Sequence, residues 1–340
     1  METALPQRFI EQSINSLKQV RNNGFQLNQQ FIQQDAINET SPTQIQLKRH
    51  PLPLTPRHQE TTIAAVDTST IKIGETSIGI IVAIRGATVW KQKNNYRYSR
   101  LGPLIFHITE DNKNEVYNNL EKAYFPFTNA SSRQNAPPMM QMPTRLASLL
   151  ERWLQMVLAK NVHESILLFD GSLTSGTYDT PTQRMREILM AARKNLNIVL
   201  AFSKATSMRI NGYLITDCLP EYDGPYLLET SGLRFKPPTV PNGSVYVARL
   251  NRANMAFRLD IDNELPLVDH MEAVERLIGN DLVQQSYPET LRLAHILCTF
   301  TANEVLAMQH FTTRRHGIQI LNRPDMHKLL FGPFGREGYA

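Results

Sequence analysis

The sequence predicts an α/β chain: a ribonuclease H-like mixed sheet flanked by helices, preceded by an N-terminal helical arm. Three observations carry this reading. β-Branched and aromatic residues concentrate in three successive segments between residues 61 and 109, joined by short polar connections, which is the pattern of an antiparallel meander. The order then changes to helix, strand, helix, strand, and the strands SILLFDGS and NIVLAFSKAT are continuous apolar runs of the kind buried on both faces. A meander that passes through a helix into parallel strands is the order of elements in the ribonuclease H-like fold.

Taken in order, residues 1–60 form a helical arm and linker. PQRFIEQSINSLKQVRNN has apolar residues at helical spacing, and the stretch after it is rich in Gln, Asn and Pro. Residues 61–340 form the main domain. Its strands begin with TTIAAVDTS, SIGIIVAIRGATVW and YRYSRLGPLIFHIT. A polar, Pro-containing insertion separates these from the helix TRLASLLERWLQMVLAKN. SILLFDGS, the helix TQRMREILMAARKN and NIVLAFSKAT follow. VYVARLN and AFRLDID read as a late hairpin extending the sheet, and PETLRLAHILCTFTANEVLAMQHF as one buried helix. The sequence contains neither an internal repeat nor a glycine-rich phosphate loop.

With 340 residues, 41% of them hydrophobic, the chain can bury a real core. It lacks both an apolar run near the ~20 residues of a membrane span and the apolar segment of a secretory signal, so a cytoplasmic protein without a membrane partner is expected. Cys218 and Cys298 are far apart and outside any CxxC or Cys/His cluster, which points to buried thiols rather than a disulfide or a zinc site. The formal charge of +5 is compatible with a polyanionic partner. Residues such as Arg145, Arg152, Lys160, Arg184, Lys204 and Arg209 could line a groove for one, or be ordinary surface charges.

Two aspartates follow apolar strands and precede small residues, Asp67 in VDTST and Asp170 in FDGSL. If the strands are neighbours the carboxylates meet, and close carboxylates repel unless a proton or a cation lies between them. A hard divalent ion such as Mg²⁺ or Mn²⁺ meets that need; turn caps are the alternative. Glu151 falls at the edge of its helix's apolar stripe, aimed at the sheet boundary, where it needs either a metal or an Arg partner. His295 lies on a helix face with Leu291 and Cys298, as a catalytic or a core histidine. Lys204 ends the strand beside the expected place of Asp170, suited to a phosphate or to a salt bridge.

Together, AVDTS, the helix bearing Glu151, LLFDGSL, FSKAT and YPETLRLAH resemble the NurA nucleases over about residues 60–310. The order of these motifs along the chain carries the resemblance more than any one of them. It implies a ribonuclease H-like, Mn²⁺-dependent (or Mg²⁺-dependent) DNA nuclease of 5′ to 3′ exonuclease and single-strand endonuclease type. Such an enzyme works with a HerA-type hexameric ATPase in DNA end resection and repair, as a homodimer. The resemblance also implies that Asp67, Asp170 and Glu151 bind metal, that His295 lies at the catalytic centre and contributes to metal binding, and that Lys204 is a basic residue of the site. Thr68 departs from the family's more common Asp-Gly-Ser, which an extended backbone after Asp67 would tolerate. A junction or hybrid nuclease of the same fold, or a non-catalytic DNA-binding partner of an ATPase, are the other classes these residues would fit.

Overall fold

A computed structural model describes residues 46–47, 50–124, 136–177, 180–231, 233, 235 and 237–321, all within one compact unit spanning residues 38–340. The helical arm expected within residues 1–45 lies outside the described residues.

From residue 63 the chain forms three long strands, β1 (Ile63–Glu75), β2 (Gly79–Gln92) and β3 (Asn95–Thr109). Helices α1 (Lys113–Tyr124) and α2 (Met142–Asn161) lead to β4 (Ile166–Asp170). Helix α3 (Thr182–Lys194) and β5 (Ile198–Ser203) come next. They precede β6 (Tyr226–Ser231), β7 (Gly243–Arg249) and β8 (Phe257–Asp262). Three helices close the described chain: α4 (Leu267–Asn280), α5 (Glu289–Cys298) and α6 (Ala302–His316).

The long strands lie in the order β6-β7-β8-β5-β4-β1-β2-β3, and Gln46–Leu47 and Leu52–Pro53 pair with β6 to make ten. β4 runs parallel to β1 and to β5, while β2 is antiparallel to both of its neighbours. An order of 3-2-1-4-5 with this pattern of directions is the ribonuclease H-like arrangement, extended here by the antiparallel β8, β7 and β6.

Alternation along the strands builds two cores. Ala64, Val66, Leu167, Phe169 and Val199 face α2 and α3, whereas Ile63, Ala65, Ile166, Leu168 and Phe202 face α4 and α5. Because helices cover both faces, the central strands read as unbroken apolar runs. Gly86 lets α2 approach: a Cβ there would lie 2.5 Å from the Leu154 side chain.

The structure corrects several expectations. The last apolar segment is two helices, because Thr301 caps α6 in a reciprocal capping box with Glu304. α6 is also largely exposed, with Leu306 and Phe311 facing solvent. Helices α1 and α4 and strand β6 were not legible from the pattern of residues. Before residue 61, in the stretch expected as linker, Leu54 is buried, its N–H donating to Pro225 O at 3.0 Å, and Arg57 pairs with Glu275 at 2.7 Å. Both cysteines are buried free thiols, as expected, and no helix among the described residues is long and apolar enough to cross a membrane.

Candidate active site

Asp67 does not close its strand. β1 continues to Glu75 against β2, but its parallel pairing with β4 covers only Ile63–Val66. No strand pairs with that flank of β1 from Asp67 onward, because β4 ends at Asp170 and the chain turns away; only its far end is covered, where Gln309 and the Leu321 N–H donate to the Ile73 and Glu75 carbonyls. The register Val66↔Phe169 sets Asp67 and Asp170 at the same level on adjacent strands. Gly171 makes the turn at φ +92°, a conformation costly for a residue with a Cβ, and its N–H donates to Phe202 O at 2.8 Å. Two residues later the backbone is pinned. The Leu173 N–H donates to Asp260 Oδ2 at 3.0 Å, and its carbonyl accepts from the Asn242 N–H at 2.8 Å. Asp260 is in turn held by both ends of the Arg258 guanidinium, each at 2.7 Å.

Three groups meet the two aspartates. Lys204, just past β5, places Nζ 2.9 Å from Asp170 Oδ2 and 3.8 Å from Asp67 Oδ2. The His295 Nδ1 lies 2.8 Å from Asp67 Oδ2, and the Thr68 N–H donates to Asp67 Oδ1 at 2.7 Å. A carboxylate can only accept, so Nδ1 of the imidazole carries a proton toward Asp67, and in the neutral ring Nε2 is then the acceptor. His295 is half-exposed at the rim, not buried in a core. Thr68 keeps the extended backbone of β1 and pairs with Gly86, so a β-branched residue fits there.

Glu151 approaches from α2. Its Oε1 accepts from Gln155 Nε2 at 3.0 Å, with Arg152 Nη2 3.9 Å away. Asp67, Glu151, Asp170 and Lys204, with Thr68 and Gly171, line one cleft of about 340 Å³. The site therefore unites the three acids and the lysine at the strand-free flank of β1, with His295 bonded to Asp67 from α5.

The charges are not balanced within this cluster. Burial, then the Asp170 carboxylate, push Asp67 above its ordinary value, against the pull of Lys204 and His295. Burial raises Glu151 to about 7; Arg152 opposes this and Asp67 and Asp170 add to it. Three acids served by the Lys204 ammonium and, at Glu151, by the Arg152 guanidinium 3.9 Å away form a centre that a divalent cation would relieve, and their oxygens suit a hard ion. One atom each of Asp67, His295 and Cys298 also lie within 4.8 Å of one another. The Cys298 thiol is a poor ligand, however: burial and Asp67 push its pKa up, and its S–H donates to His295 O at 3.2 Å.

Some residues of this site were hidden in the sequence. Asp260, on β8, and Asn242, just before β7, are distant in sequence and carry no local signal. Gln155 had one: it lies four residues after Glu151 within an apolar stripe, on the same helical face. Two basic groove candidates turn inward instead, Arg184 to Glu121 at 3.0 Å and Arg152 to Gln155 at 2.7 Å.

Residues 61–297 match the family model of the NurA domain. No curated protein matches the chain by sequence. Among solved structures, the NurA nuclease from Sulfolobus solfataricus is similar at 15% identity and a TM-score of 0.48, over 78% of this chain and 88% of that one. A crystal structure of NurA bound to dAMP and manganese is similar at 9% identity and a TM-score of 0.44, over 79% and 90% of the two chains.

Proposed function

Since the chain belongs to the NurA family, whose domain spans residues 61–297, we propose that it is a metal-dependent deoxyribonuclease that hydrolyses phosphodiester bonds. The observation that carries this is the convergence of three carboxylates and one ammonium on a single cleft at the strand-free flank of β1. We assign Asp67, Asp170 and Glu151 as ligands of two Mn²⁺ or Mg²⁺ ions, with His295 as the nitrogen donor or proton acceptor. Held by these residues, such ions would supply Lewis-acid activation of water and positive charge beside the phosphate.

The side chains have separable roles. Asp67 fixes the His295 tautomer, so that Nε2 can take a proton from the attacking water. Lys204, held between Asp67 and Asp170, is placed to donate to a non-bridging phosphate oxygen. The Asp260 and Asn242 bonds keep the segment after Asp170 from shifting its carboxylate. Nothing in this set reads a base edge, so weak sequence preference and strong salt sensitivity follow. The substrate is DNA, processed 5′ to 3′ from ends and cut within single strands, during end resection with a HerA-type hexameric ATPase. The working form is a homodimer in the cytoplasm.

The test is cleavage of end-labelled single- and double-stranded DNA with Mn²⁺, Mg²⁺ or chelator, with and without the ATPase. Degradation that needs metal and is lost in both Asp67→Ala and Asp170→Ala is expected. Absence of cleavage under every condition would leave a non-catalytic DNA-binding protein, and preference for junctions or hybrids would redirect the substrate assignment.

A further inference from the structure

Gln155 sits one turn beyond Glu151 on α2, fully buried among the residues that pack this helix on the sheet. A primary amide there is costly unless its donor and acceptor ends are both met. Both are. The Arg152 Nη1 donates to Gln155 Oε1 at 2.7 Å, and Gln155 Nε2 donates to Glu151 Oε1 at 3.0 Å.

The chemistry fixes the direction of this chain of bonds. A guanidinium only donates, so the oxygen of the amide must face Arg152, and its NH₂ group must face Glu151. One Glu151 oxygen is thereby committed to a donor within the helix, and rotation of the carboxylate about its last bond is restricted. Glu151 itself lines the cleft.

We propose that Gln155, oriented by Arg152, is a positioning residue that holds the Glu151 carboxylate ready to bind a divalent cation. This rests on reading Asp67, Asp170 and Glu151 as the ligands. Partners that orient a ligand in this way typically affect metal affinity or activity by 10- to 100-fold, on the order of magnitude.

The experiment is an electron paramagnetic resonance titration of Mn²⁺ into the full chain without DNA, followed by the Mn²⁺ dependence of cleavage. Gln155→Met keeps the length and apolar packing of the side chain and removes both bonds. Its dissociation constant for Mn²⁺ should rise roughly 10-fold or more. KM for DNA at saturating Mn²⁺ should stay near that of the unaltered chain, a split that a loss of folding would not produce. Gln155→Leu also removes both bonds while keeping an apolar side chain, and should weaken binding as much. That second variant keeps the test decisive if the methionine folds poorly.

Mn²⁺ affinity within about twofold of the unaltered chain in either folded variant, with Asp67→Ala still weakened, would overturn the role of Gln155 and leave the ligand assignment standing. Failure of the unaltered chain to bind Mn²⁺, or unchanged binding in Asp67→Ala and Glu151→Ala, would remove both together.

Discussion

Asp260 and the cluster of Asp67, Asp170 and Glu151 both place carboxylates in largely apolar surroundings, and burial is the largest influence raising the pKa of Asp67, Glu151 and Asp260. At Asp260 the remaining influences all favour the anion: the Arg258 charge, its two hydrogen bonds and the Leu173 N–H. At Asp67 the next influence after burial is another acid, Asp170. One centre is matched within the fold, while the other keeps more negative charge than its neighbours offset. A locally unmatched centre surrounded by well-matched ones is what a binding or catalytic site contributes to a folded chain.

The sharpest way to break this comparison is to delete an acid from each centre. Asp67→Ala should lower metal-dependent cleavage on the order of 10³-fold, about 4 kcal/mol of barrier. Its stability with chelator should change by no more than about 1 kcal/mol, because contacts with Lys204 and His295 are lost as repulsion by Asp170 is relieved. Asp260→Ala should do the reverse. It leaves the Arg258 guanidinium buried and unmatched, at a cost of about 3 kcal/mol in a urea melt. If both variants lose stability alike, the cleft is an ordinary structural cluster.

Glu151 gives the next effect, with a sign that runs against intuition. Its pKa is raised from 4.5 to about 7, so the folded chain holds a proton that the unfolded chain releases between those values. That proton stabilises the fold at low pH, and the contribution is lost as pH rises through about 7. With chelator present at pH 8, Glu151→Gln should therefore be more stable than the unaltered chain by about 3 kcal/mol. The difference should vanish below about pH 4.5, where both chains carry a neutral side chain. Thermal melts across pH, with metal removed, measure it directly.

How much of this was legible depends on how local each cause is. β1 and β4 were readable because apolar runs ending in Asp67 and Asp170 are local patterns. The level at which those strands pair is not local, so Asp67 looked like the end of a strand that in fact runs on to Glu75. Glu151 could be aimed at the sheet from its helical stripe, and α2 carries it there. Asp260 and Asn242 act across 87 and 69 positions on the Leu173 backbone, a relation that no periodicity encodes. Helix α4 has buried His270, Ala273, Val274 and Leu277 on one face, but the polar residues between them blurred the pattern.

The break between α5 and α6 does have a local signature: Thr301-Ala-Asn-Glu304 is a capping pattern inside an apolar run. Glu304 extends the comparison to a further acid, displaced the opposite way from Glu151. Its carboxylate takes 2.7 and 3.3 Å bonds from Arg85 and a 2.9 Å bond from the Thr301 N–H, and these hold its pKa down at about 2. A depressed acid stabilises the fold above its unfolded pKa near 4.5, and that contribution disappears as pH falls through about 2. About a third of the Glu304 side chain is exposed, so solvent screening reduces the effect, and Glu304→Gln should cost about 1 kcal/mol at pH 7. Melts of Glu304→Gln and Glu151→Gln should thus diverge in opposite directions from the unaltered chain as pH rises from 2 to 8. Parallel curves would mean that the two glutamates share one kind of environment, and that the excess of acid in the cleft is no greater than at a helix cap.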